Sequence, residues 1–295
     1  MGHEQTTGSL AYGQLRPRSL PPIGRTGCGK PAVAFAGAAK GYDLSEFSTM
    51  GLPEKLLKRI EAMGFKDPTP IQSHAIPHAL QGRDVLGLAQ TGTGKTAAFG
   101  VPLIAQMMQY ERKPAPKTVR GLVLAPTREL ANQISQQIRG LMDGSSMSVG
   151  LVVGGVSINP HIQRIARGTD ILVATPGRLL DILDRRALNL GSCDFLVLDE
   201  ADQMLDMGFR DELEAILEFL PEDRCSHLVS ATFPAVVKRL ADRFQENPLH
   251  VEGTRLGVAN ADIQHVAHRI RPRELNAAII NVLLHARGER VLVFV

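Results

Sequence analysis

The chain has 295 residues, of which 44% are hydrophobic and 21% are charged, a composition typical of globular proteins. Its net charge of +3 permits a nucleic-acid partner without requiring one, and no apolar run approaches the ~20 residues of a membrane span. The three cysteines, Cys28, Cys193 and Cys225, form no CxxC pair, so the sequence predicts neither a zinc site nor a disulfide framework and fits a reducing cytoplasm.

The first 42 residues contain glycine, proline and arginine without sustained hydrophobic periodicity, and this pattern predicts a flexible tail. The folded part is expected to begin near Phe47. From there, seven short apolar runs predict strands, and several are apolar throughout, as in a parallel sheet covered on both faces. These runs are 84–89, 119–125, 149–153, 170–174, 194–198, 227–230 and 249–253.

Helical patterns alternate with the apolar runs. In the stretch 128–142, for example, the apolar residues Leu130, Ile134, Ile138 and Leu141 share one face. The other predicted helices are 53–63, 71–80, 95–109, 157–167, 210–220 and 234–245. Alternating strands and helices predict a doubly wound α/β domain with a mainly parallel sheet.

After residue 254 the alternation restarts, with a strand predicted at 263–270, a helix at 274–286 and a strand at 290–295. Two strands and one helix cannot bury their own apolar faces, and their sheet edges stay open. The segment 255–295 is therefore interpreted as the start of a second α/β domain, cut short, and is expected to be poorly ordered or prone to aggregate.

Two glycine-rich loops compete for the role of a phosphate-binding loop. The first, GRTGCGKP at 24–31, has proline where the pattern requires a hydroxyl residue, and no buried strand precedes it. The second, AQTGTGKT at 89–96, follows an apolar strand, precedes a helix and has Thr96 after Lys95. The second loop is predicted to hold the nucleotide, while the first is interpreted as a coincidence in the tail or a weak RNA contact through Arg25 and Lys30.

The predicted chemistry of the second loop follows from its residue types. Backbone amides of Gly92 to Thr96 would surround phosphates at a helix N-terminus, and Lys95 would contact the β- and γ-phosphates. Thr96 would hold Mg²⁺ through its hydroxyl. A loop of this kind occurs in transporters, kinases and motors, so it predicts nucleotide binding without defining the reaction.

Polar segments follow six of the apolar runs directly, and in open parallel sheets ligands bind beyond the carboxyl ends of the strands. Each segment alone is explained by a purely structural role, such as a helix cap or a Pro-Gly turn, but their joint occurrence at one edge of the sheet favours a ligand-binding site. The segments are QTGTGKT (90–96), PTREL (126–130), GG (154–155), TPGR (175–178), DEAD (199–202) and SAT (230–232).

Two adjacent carboxylates follow the apolar run 194–198, as in a Walker B site. Asp199 could hold Mg²⁺ and Glu200 could orient or activate an attacking water. Adjacent carboxylates need a positive counter-charge, which Mg²⁺ and Lys95 would supply. The catalytic residues are therefore predicted to be Lys95, Asp199 and Glu200, with Thr96 and Asp199 as the metal ligands.

With the segment GFKDPTPIQ at 64–72, these motifs closely resemble the DEAD-box RNA helicase family, in family order and over about residues 47–295. The resemblance implies a RecA-like ATP-binding domain at 74–254, preceded by a Q-motif segment at 43–73. Residues 255–295 would be the incomplete start of a second RecA-like domain. Ala89, where the loop pattern expects glycine, is common in that family.

The resemblance also implies residue roles and partners. Gln72 would bind the adenine edge through its amide, Phe47 would stack on the adenine, and ATP with Mg²⁺ would be the cofactors. The phosphate loop would comprise Gln90, Thr91, Gly92, Thr93, Gly94, Lys95 and Thr96. The RNA backbone would be bound, with little sequence preference, by Pro126, Thr127, Arg128, Gly154, Gly155, Thr175, Pro176, Gly177 and Arg178. Coupling of hydrolysis to strand separation would involve Asp202, Ser230 and Thr232.

The implied function is cytoplasmic, ATP-dependent unwinding of RNA. The sequence ends in VLVFV, which resembles the beginning of the first motif of the second domain, and no arginine-finger segment follows. Because such an arginine can be worth ~10³–10⁵ in turnover, this chain is expected to bind ATP, to bind RNA weakly and to unwind little or nothing. Two alternatives remain open: a non-enzymatic RNA- or protein-binding fragment with an idle ATP site, and a DNA translocase or other P-loop motor, which Gln72 and Phe47 disfavour.

Overall fold

The structure is a computed structural model that describes residues 47–90, 92–109, 113–253, 266–286, 288 and 290–293. The predicted flexible tail and the first glycine-rich loop lie outside these residues. The chain divides into two compact units, 1–254 and 255–295.

The first unit contains a seven-stranded sheet in which every pairing is parallel. The strand order is β3-β4-β2-β5-β6-β1-β7, so the chain starts near one edge, crosses to the other and returns. This arrangement confirms the predicted doubly wound α/β class. The strands are β1 (Val85–Leu88), β2 (Val119–Leu124), β3 (Val149–Val152), β4 (Thr169–Ala174), β5 (Phe195–Asp199), β6 (Cys225–Ser230) and β7 (Leu249–Glu252).

Helices cover both faces of the sheet, and a short 3-10 helix, Phe47–Met50, precedes them. Helices α1–α4 pack on one face and α5–α9 on the other. The helices are α1 (Glu54–Ala62), α2 (Pro70–Leu80), α3 (Lys95–Gln109), α4 (Arg128–Met142), α5 (Asn159–Ile165), α6 (Pro176–Asp184), α7 (Ala201–Asp206), α8 (Arg210–Glu218) and α9 (Ala235–Phe244). No helix in the described part of the chain combines the length and the apolar character needed to cross a bilayer.

The central strands are apolar throughout because successive side chains pack into the two cores on opposite faces of the sheet. In β2, Leu122 and Leu124 pack with helices α5–α9, whereas Val123 packs with helices α1–α4, and all three are 0% exposed. Consecutive side chains of a strand point to opposite faces, so burial on both faces removes the polar alternation of a half-exposed strand. Because of this two-sided burial, the apolar runs in the sequence correctly predicted the strands.

Two helices were not predicted by apolar periodicity, namely α6 and α7. Helix α6 begins at Pro176 in the TPGR segment, and α7 spans only six residues after the carboxylates. Both start where a strand ends, and proline at the first helical position is compatible with a helix because its missing N–H would be unpaired there.

The second unit contains a 3-10 turn, Pro272–Glu274, and helix α10 (Leu275–His285), which confirms the predicted helix. The predicted strands at 263–270 and 290–295 are wrong for the residues that can be described, because 266–270 and 290–293 are not extended in a sheet. A strand requires a partner for its backbone groups, and the described residues of this unit offer no paired strand.

His227 is a buried imidazole in the middle of β6, 4% exposed, beside a small cavity lined by Ile71, Val85 and Phe99. Its Nε2 atom has no hydrogen-bond partner among the described residues. Burial lowers the pKa of His227 to about 4, although a hydrogen bond to the Arg83 backbone opposes the shift. The imidazole is therefore neutral in the folded chain, whereas an unfolded chain would take up a proton below pH ~6.5.

The contribution of His227 to the stability of the chain should fall as the solution is acidified, because the unfolded state binds the proton that folded His227 rejects. The folded pKa is below the unfolded one, so this contribution is complete above pH ~6.5 and is lost toward pH 4. We expect this contribution to fall by about 2 kcal/mol between pH 7 and pH 5, measured by urea unfolding as the difference between the unsubstituted chain and His227→Leu. His227→Leu should remove most of this slope, and the exposed His74→Leu control should retain it. An unchanged slope in His227→Leu would contradict the assignment.

Candidate functional site

All six polar segments lie at one edge of the sheet, called here the carboxyl edge, because parallel strands end on the same side. The strand order divides this edge into two halves. The GG, TPGR and PTREL segments follow the neighbouring strands β3, β4 and β2, whereas DEAD, SAT and the lysine-containing loop follow β5, β6 and β1. Segments predicted to bind RNA and segments predicted to bind nucleotide thus occupy separate, adjacent halves.

The loop between β1 and α3 turns sharply through two glycines. Gly92 and Gly94 have φ values of +86° and +90°, which L side chains rarely adopt. The Thr93 hydroxyl donates to the Gln90 carbonyl at 2.7 Å, and α3 begins at Lys95. The loop therefore presents backbone N–H groups at a helix N-terminus, a geometry suited to phosphate. Thr91 lies outside the described residues.

Lys95 lies beside both predicted carboxylates although all three groups are largely buried. Its Nζ atom is 4.0 Å from Asp199 Oδ1 and 3.4 Å from Glu200 Oε1, and the lysine is 6% exposed. The sequence-predicted catalytic residues are thus brought together by the ends of β1 and β5, which are separated only by β6. Lys95 supplies part of the positive counter-charge that these adjacent buried carboxylates require.

Asp199 keeps an unsatisfied oxygen in this cluster. Its Oδ1 atom is buried and has no hydrogen-bond partner among the described residues. Burial raises the pKa of Asp199 to about 6, with Lys95 opposing the shift and Glu200 adding to it. A buried anionic oxygen without a hydrogen bond fits a cation ligand, so the residues present are compatible with Mg²⁺.

A cation at this position would take most of its ligands from phosphate and water. No group of three or more His, Cys, Asp or Glu side chains converges on a metal position within the residues that the structure describes. Mg²⁺ typically binds proteins through one or two carboxylates together with substrate phosphates. Asp199 and the hydroxyl of Thr96, the residue after Lys95, are groups of the type that this coordination requires.

Glu200 occupies a strained backbone position at the turn from β5 into α7. Its φ and ψ values are 54° and 53°, in the left-handed region that non-glycine residues seldom adopt. The turn directs the Glu200 carboxylate toward Lys95, whose Nζ donates to it at 3.4 Å. Such strain occurs most often at functional positions, where the surrounding fold compensates for it.

Asp202 joins the DEAD segment to the SAT segment across β5 and β6. Thr232 donates to Asp202 Oδ2 from its hydroxyl at 2.7 Å and from its backbone N–H at 2.9 Å. The Asp202 N–H in turn donates to the Ser230 hydroxyl at 3.3 Å. Burial alone would raise the pKa of Asp202, but hydrogen bonds from Thr232 and Ser230 outweigh it and hold the pKa below its ordinary value.

Gln72 contacts the loop between β1 and α3 directly. Its amide oxygen accepts the Thr69 N–H at 2.9 Å, and its amide nitrogen donates to the Gly94 carbonyl at 3.0 Å. The residue is 1% exposed, and a methyl group at Gly94 would lie 2.3 Å from the Gln72 nitrogen. Both ends of the amide are therefore engaged within the chain, and adenine binding by Gln72 stays a prediction.

Phe47 lies in the core rather than on the surface of the site. It is 5% exposed and belongs to the same apolar cluster as Ile76 and Leu80 of helix α2. The ring thus anchors the short 3-10 helix to α2 in this structure. Its predicted stacking on adenine stays a prediction, and the small exposed fraction of the ring does not support it.

The other half of the edge is built from glycines and hydroxyls around one arginine. A methyl group at Gly155, where φ is +74°, would lie 2.3 Å from Arg128 Nη1, so the guanidinium rests directly on this glycine. The Gly154 N–H donates to the Thr175 hydroxyl at 3.3 Å. Thr127 caps helix α4 by accepting the Leu130 N–H at 3.2 Å. These contacts assemble the three segments into one surface.

Arg178 completes this half at the first turn of α6. Its Nη1 atom donates to the Val156 carbonyl at 2.7 Å, which ties α6 to the loop after the glycine pair. Helices α4 and α6 both begin at this edge, at Arg128 and at Pro176, and their N-termini favour anions. Together with Arg128 and Arg178, they form a surface suited to the phosphates of a nucleic-acid backbone.

Two functional contacts were missed at the level of sequence. Thr69 begins a capping box with Gln72, a spacing of Thr and Gln that is visible in the sequence as TPIQ. That signal could have predicted that Gln72 is held by its own helix start. The Val156 carbonyl that holds Arg178 carries no residue-type signal, because any residue supplies a carbonyl.

Comparison with known proteins identifies relatives over most of the chain. The DEAD/DEAH box helicase family matches residues 69–240. The chain is 39% identical over 251 residues to the DEAD-box ATP-dependent RNA helicase CshA of Bacillus cereus, covering 85% of this chain and 47% of that protein. It is 40% identical over 253 residues to the DEAD-box ATP-dependent RNA helicase RhpA of Helicobacter pylori, covering 86% and 50%. The chain thus spans about half the length of these relatives.

The fold is also similar to a solved structure, that of a DEAD box protein from the hyperthermophile Methanococcus jannaschii. The TM-score is 0.66 at 32% sequence identity, and the match covers 81% of this chain and 63% of that one.

Replacing Asp199 with Asn should stabilise the metal-free chain at neutral pH. The folded pKa of Asp199 is raised from 3.8 to about 6, so the penalty for its ionisation grows between pH ~4 and pH 6 and is complete at pH 7. We expect Asp199→Asn to gain about 3 kcal/mol at pH 7 and little at pH 4, measured by unfolding in a chelator.

Asp202→Asn is the matched control, because hydrogen bonds lower the pKa of Asp202 and its ionised form stabilises the fold. This variant should lose stability at neutral pH. Destabilisation by Asp199→Asn at pH 7 would contradict the account of the buried carboxylate.

Proposed function

This chain belongs to the DEAD/DEAH box helicase family, and we propose that it is the ATP-binding part of an ATP-dependent RNA helicase. In this proposal, ATP is bound and hydrolysed at one half of the carboxyl edge while RNA is held at the other half. The observation that carries the proposal is the contact of Lys95 with Asp199 and Glu200, 4.0 and 3.4 Å away, beside a surface of helix N-termini and arginines. The relatives named above, which are called ATP-dependent RNA helicases, support it.

The phosphates of ATP would lie on the loop from Gln90 to Thr96, where backbone N–H groups and the α3 N-terminus stabilise negative charge. Lys95 would then neutralise charge on the terminal phosphates. Because its Nζ atom contacts Glu200 at 3.4 Å, phosphate would compete with that carboxylate for the lysine. Binding would thereby release Glu200 toward the terminal phosphate.

Asp199 and Thr96 would hold Mg²⁺, which supplies positive charge to the phosphate oxygens when it is bound. The buried Asp199 Oδ1 atom, which has no hydrogen-bond partner among the described residues, supports this assignment. Glu200 would orient the attacking water and accept its proton at the carboxylate. The adenine would be bound by the Gln72 amide, with Phe47 as the weaker candidate for stacking.

The RNA backbone would lie across the surface formed by Arg128, Gly154, Gly155, Thr175 and Arg178. Pro126, Thr127, Pro176 and Gly177 belong to the same helix starts. Contacts of this kind reach phosphate and sugar rather than base edges, so little sequence preference is expected. Asp202, Ser230 and Thr232, which bridge β5 and β6, would transmit the state of the nucleotide along the edge.

The alternative is a non-enzymatic RNA- or protein-binding role with an idle ATP site. The two proposals differ in whether ATP turns over. A cytoplasmic location is inferred with the first proposal, since ATP and RNA are both available there.

Substitution of two site residues should separate nucleotide binding from hydrolysis. Lys95→Ala should lower ATP affinity at least tenfold, because the terminal phosphates lose their counter-charge. Glu200→Gln should keep ATP affinity within about threefold but lower RNA-stimulated turnover by about 10²-fold or more, because the proton acceptor is lost. Phosphate release and binding of a fluorescent ATP analogue measure the two effects.

Lys58→Ala is the control, since this lysine is exposed and pairs only with Glu54 of its own helix in the described structure. It should behave like the unsubstituted chain. Turnover in the unsubstituted chain that Glu200→Gln leaves unaltered would favour the idle site.

A single methyl group at Gly155 should weaken RNA binding. Gly155→Ala would place its Cβ 2.3 Å from Arg128 Nη1 and would strain a backbone with φ of +74°. Displacement of one arginine from phosphate should reduce affinity for single-stranded RNA about tenfold, or ~1.4 kcal/mol, measured by fluorescence anisotropy.

Gly144→Ala is the matched control. Gly144 has φ of +76° but nothing within 4 Å of its added Cβ, so it carries the same backbone strain without the contact. Equal RNA affinity in the two alanine variants would contradict the placement of RNA on this surface.

A further inference from the structure

A second charged surface lies at the opposite edge of the sheet, called here the amino edge. Three loops lead into the adjacent strands β4, β2 and β5, and they span residues 164–168, 113–118 and 184–189. Since the strands are parallel and neighbouring strands lie ~4.8 Å apart, these loops are side by side. They lie roughly 20 Å from the carboxyl edge, the length of a six-residue strand.

Backbone hydrogen bonds hold the three loops against one another. The Lys117 N–H donates to the Ala166 carbonyl at 3.2 Å, and the Asn189 N–H donates to the Lys117 carbonyl at 2.8 Å. A methyl group at Gly168 would lie 2.4 Å from the Ala115 carbonyl oxygen, so the first two loops are in direct contact. The charged side chains on these loops are therefore presented on a fixed framework.

The charge of the three loops is strongly unbalanced. They contain six basic residues and one acidic residue, Asp184, whereas the whole chain has 33 basic and 30 acidic residues. The basic residues, called here the amino-edge patch, are all exposed: Lys113, Lys117, Arg164, Arg167, Arg185 and Arg186. The net positive charge of these loops exceeds that of the entire chain, so the remainder of the molecule is slightly acidic.

Few carboxylates compensate the patch. Arg185 pairs with Asp181 at 2.7 Å, one helical turn away. Asp170, at the start of β4, faces inward instead and pairs with the buried Arg120 at 3.2 Å. The positive field of the patch is therefore directed to solvent, where it would attract a polyanion.

Two basic residues of the patch occupy backbone positions that suit glycine. Lys117 and Arg186 have φ values of 57° and 53°, and the only other non-glycine residues with positive φ among those described are Glu200 and Asn247. Arg186 stands just after α6, where a left-handed residue commonly ends a helix and is usually glycine. At both positions the backbone conformation favours glycine, yet a residue with a charged side chain is present.

We propose that the amino-edge patch is a second RNA-binding surface, which holds the phosphate backbone of RNA that extends beyond the strand bound at the carboxyl edge. The proposal rests on the proposed function, because it takes RNA as the ligand of the first edge. Arginine dominates the patch, and its planar guanidinium matches phosphate oxygens in a bidentate manner. The surface would increase affinity for long RNA without adding sequence preference.

The double variant Lys117→Gly with Arg186→Gly tests this surface, because glycine removes two charges and relieves two left-handed positions at once. It should fold as well as the unsubstituted chain or better, as measured by thermal unfolding. Its affinity for long single-stranded RNA should fall about tenfold, and the slope of log affinity against log salt should decrease by about 1.4, at ~0.7 per lost phosphate contact. Binding of a short oligonucleotide that fills only the carboxyl edge should not change.

The control is Lys238→Gln with Arg239→Gln on helix α9, which removes the same net charge from exposed positions elsewhere. Equal affinity for long RNA in the glycine and glutamine variants would overturn the proposal. Polyaspartate is tested as a competitor of long RNA at equal charge. If polyaspartate displaces the RNA, and if the glycine variant no longer binds polyaspartate, the ligand is an acidic protein and the proposal is also overturned. Failure of the unsubstituted chain to bind the short oligonucleotide would instead contradict the proposed function.

Discussion

The structure depends on a buried cluster in which one ammonium group stands beside two adjacent carboxylates. Lys95 lies 4.0 Å from Asp199 and 3.4 Å from Glu200, and desolvation raises the pKa of Asp199 to about 6 despite the lysine. Such an arrangement is unfavourable to the fold on its own, because one lysine does not compensate two buried carboxylates. In the proposed function, phosphate and a cation would complete the charge balance and make the arrangement favourable.

The parallel sheet brings this cluster next to a different kind of surface. Because β5, which carries Asp199 and Glu200, lies directly beside β2, which leads to Arg128, one edge serves both halves. Asp202 lies at the join, with two hydrogen bonds from Thr232 and a backbone contact to Ser230. In the proposed function, a change at the phosphates would reach the neighbouring segments through these hydrogen bonds at the strand ends.

Much of this arrangement could be predicted from sequence, since two-sided burial makes the strands apolar throughout and places polar segments at their ends. The loop 89–96 was predicted to bind phosphate from its preceding strand, its following helix and Thr96, although Ala89 departs from the expected glycine, and the structure has the strand and the helix at these places. Strand order was not predictable, because it depends on packing between segments distant in sequence. Hydrophobic periodicity did not predict α7, because that helix is too short to show a period. It wrongly predicted strands after residue 254, where the described residues lack a pairing partner. Gln72 and Phe47 show the same limit, since their burial depends on contacts that residue type does not reveal.

The most direct test of the account is the number of protons released when the chain binds Mg²⁺ and ATP at pH 6, measured by calorimetry in two buffers with different ionisation enthalpies. If Asp199 is half protonated at its pKa of about 6 and becomes a cation ligand, the unsubstituted chain should release about half a proton more than Asp199→Asn. Equal proton release by the two proteins would contradict the central claim that this buried carboxylate is held ready for a cation.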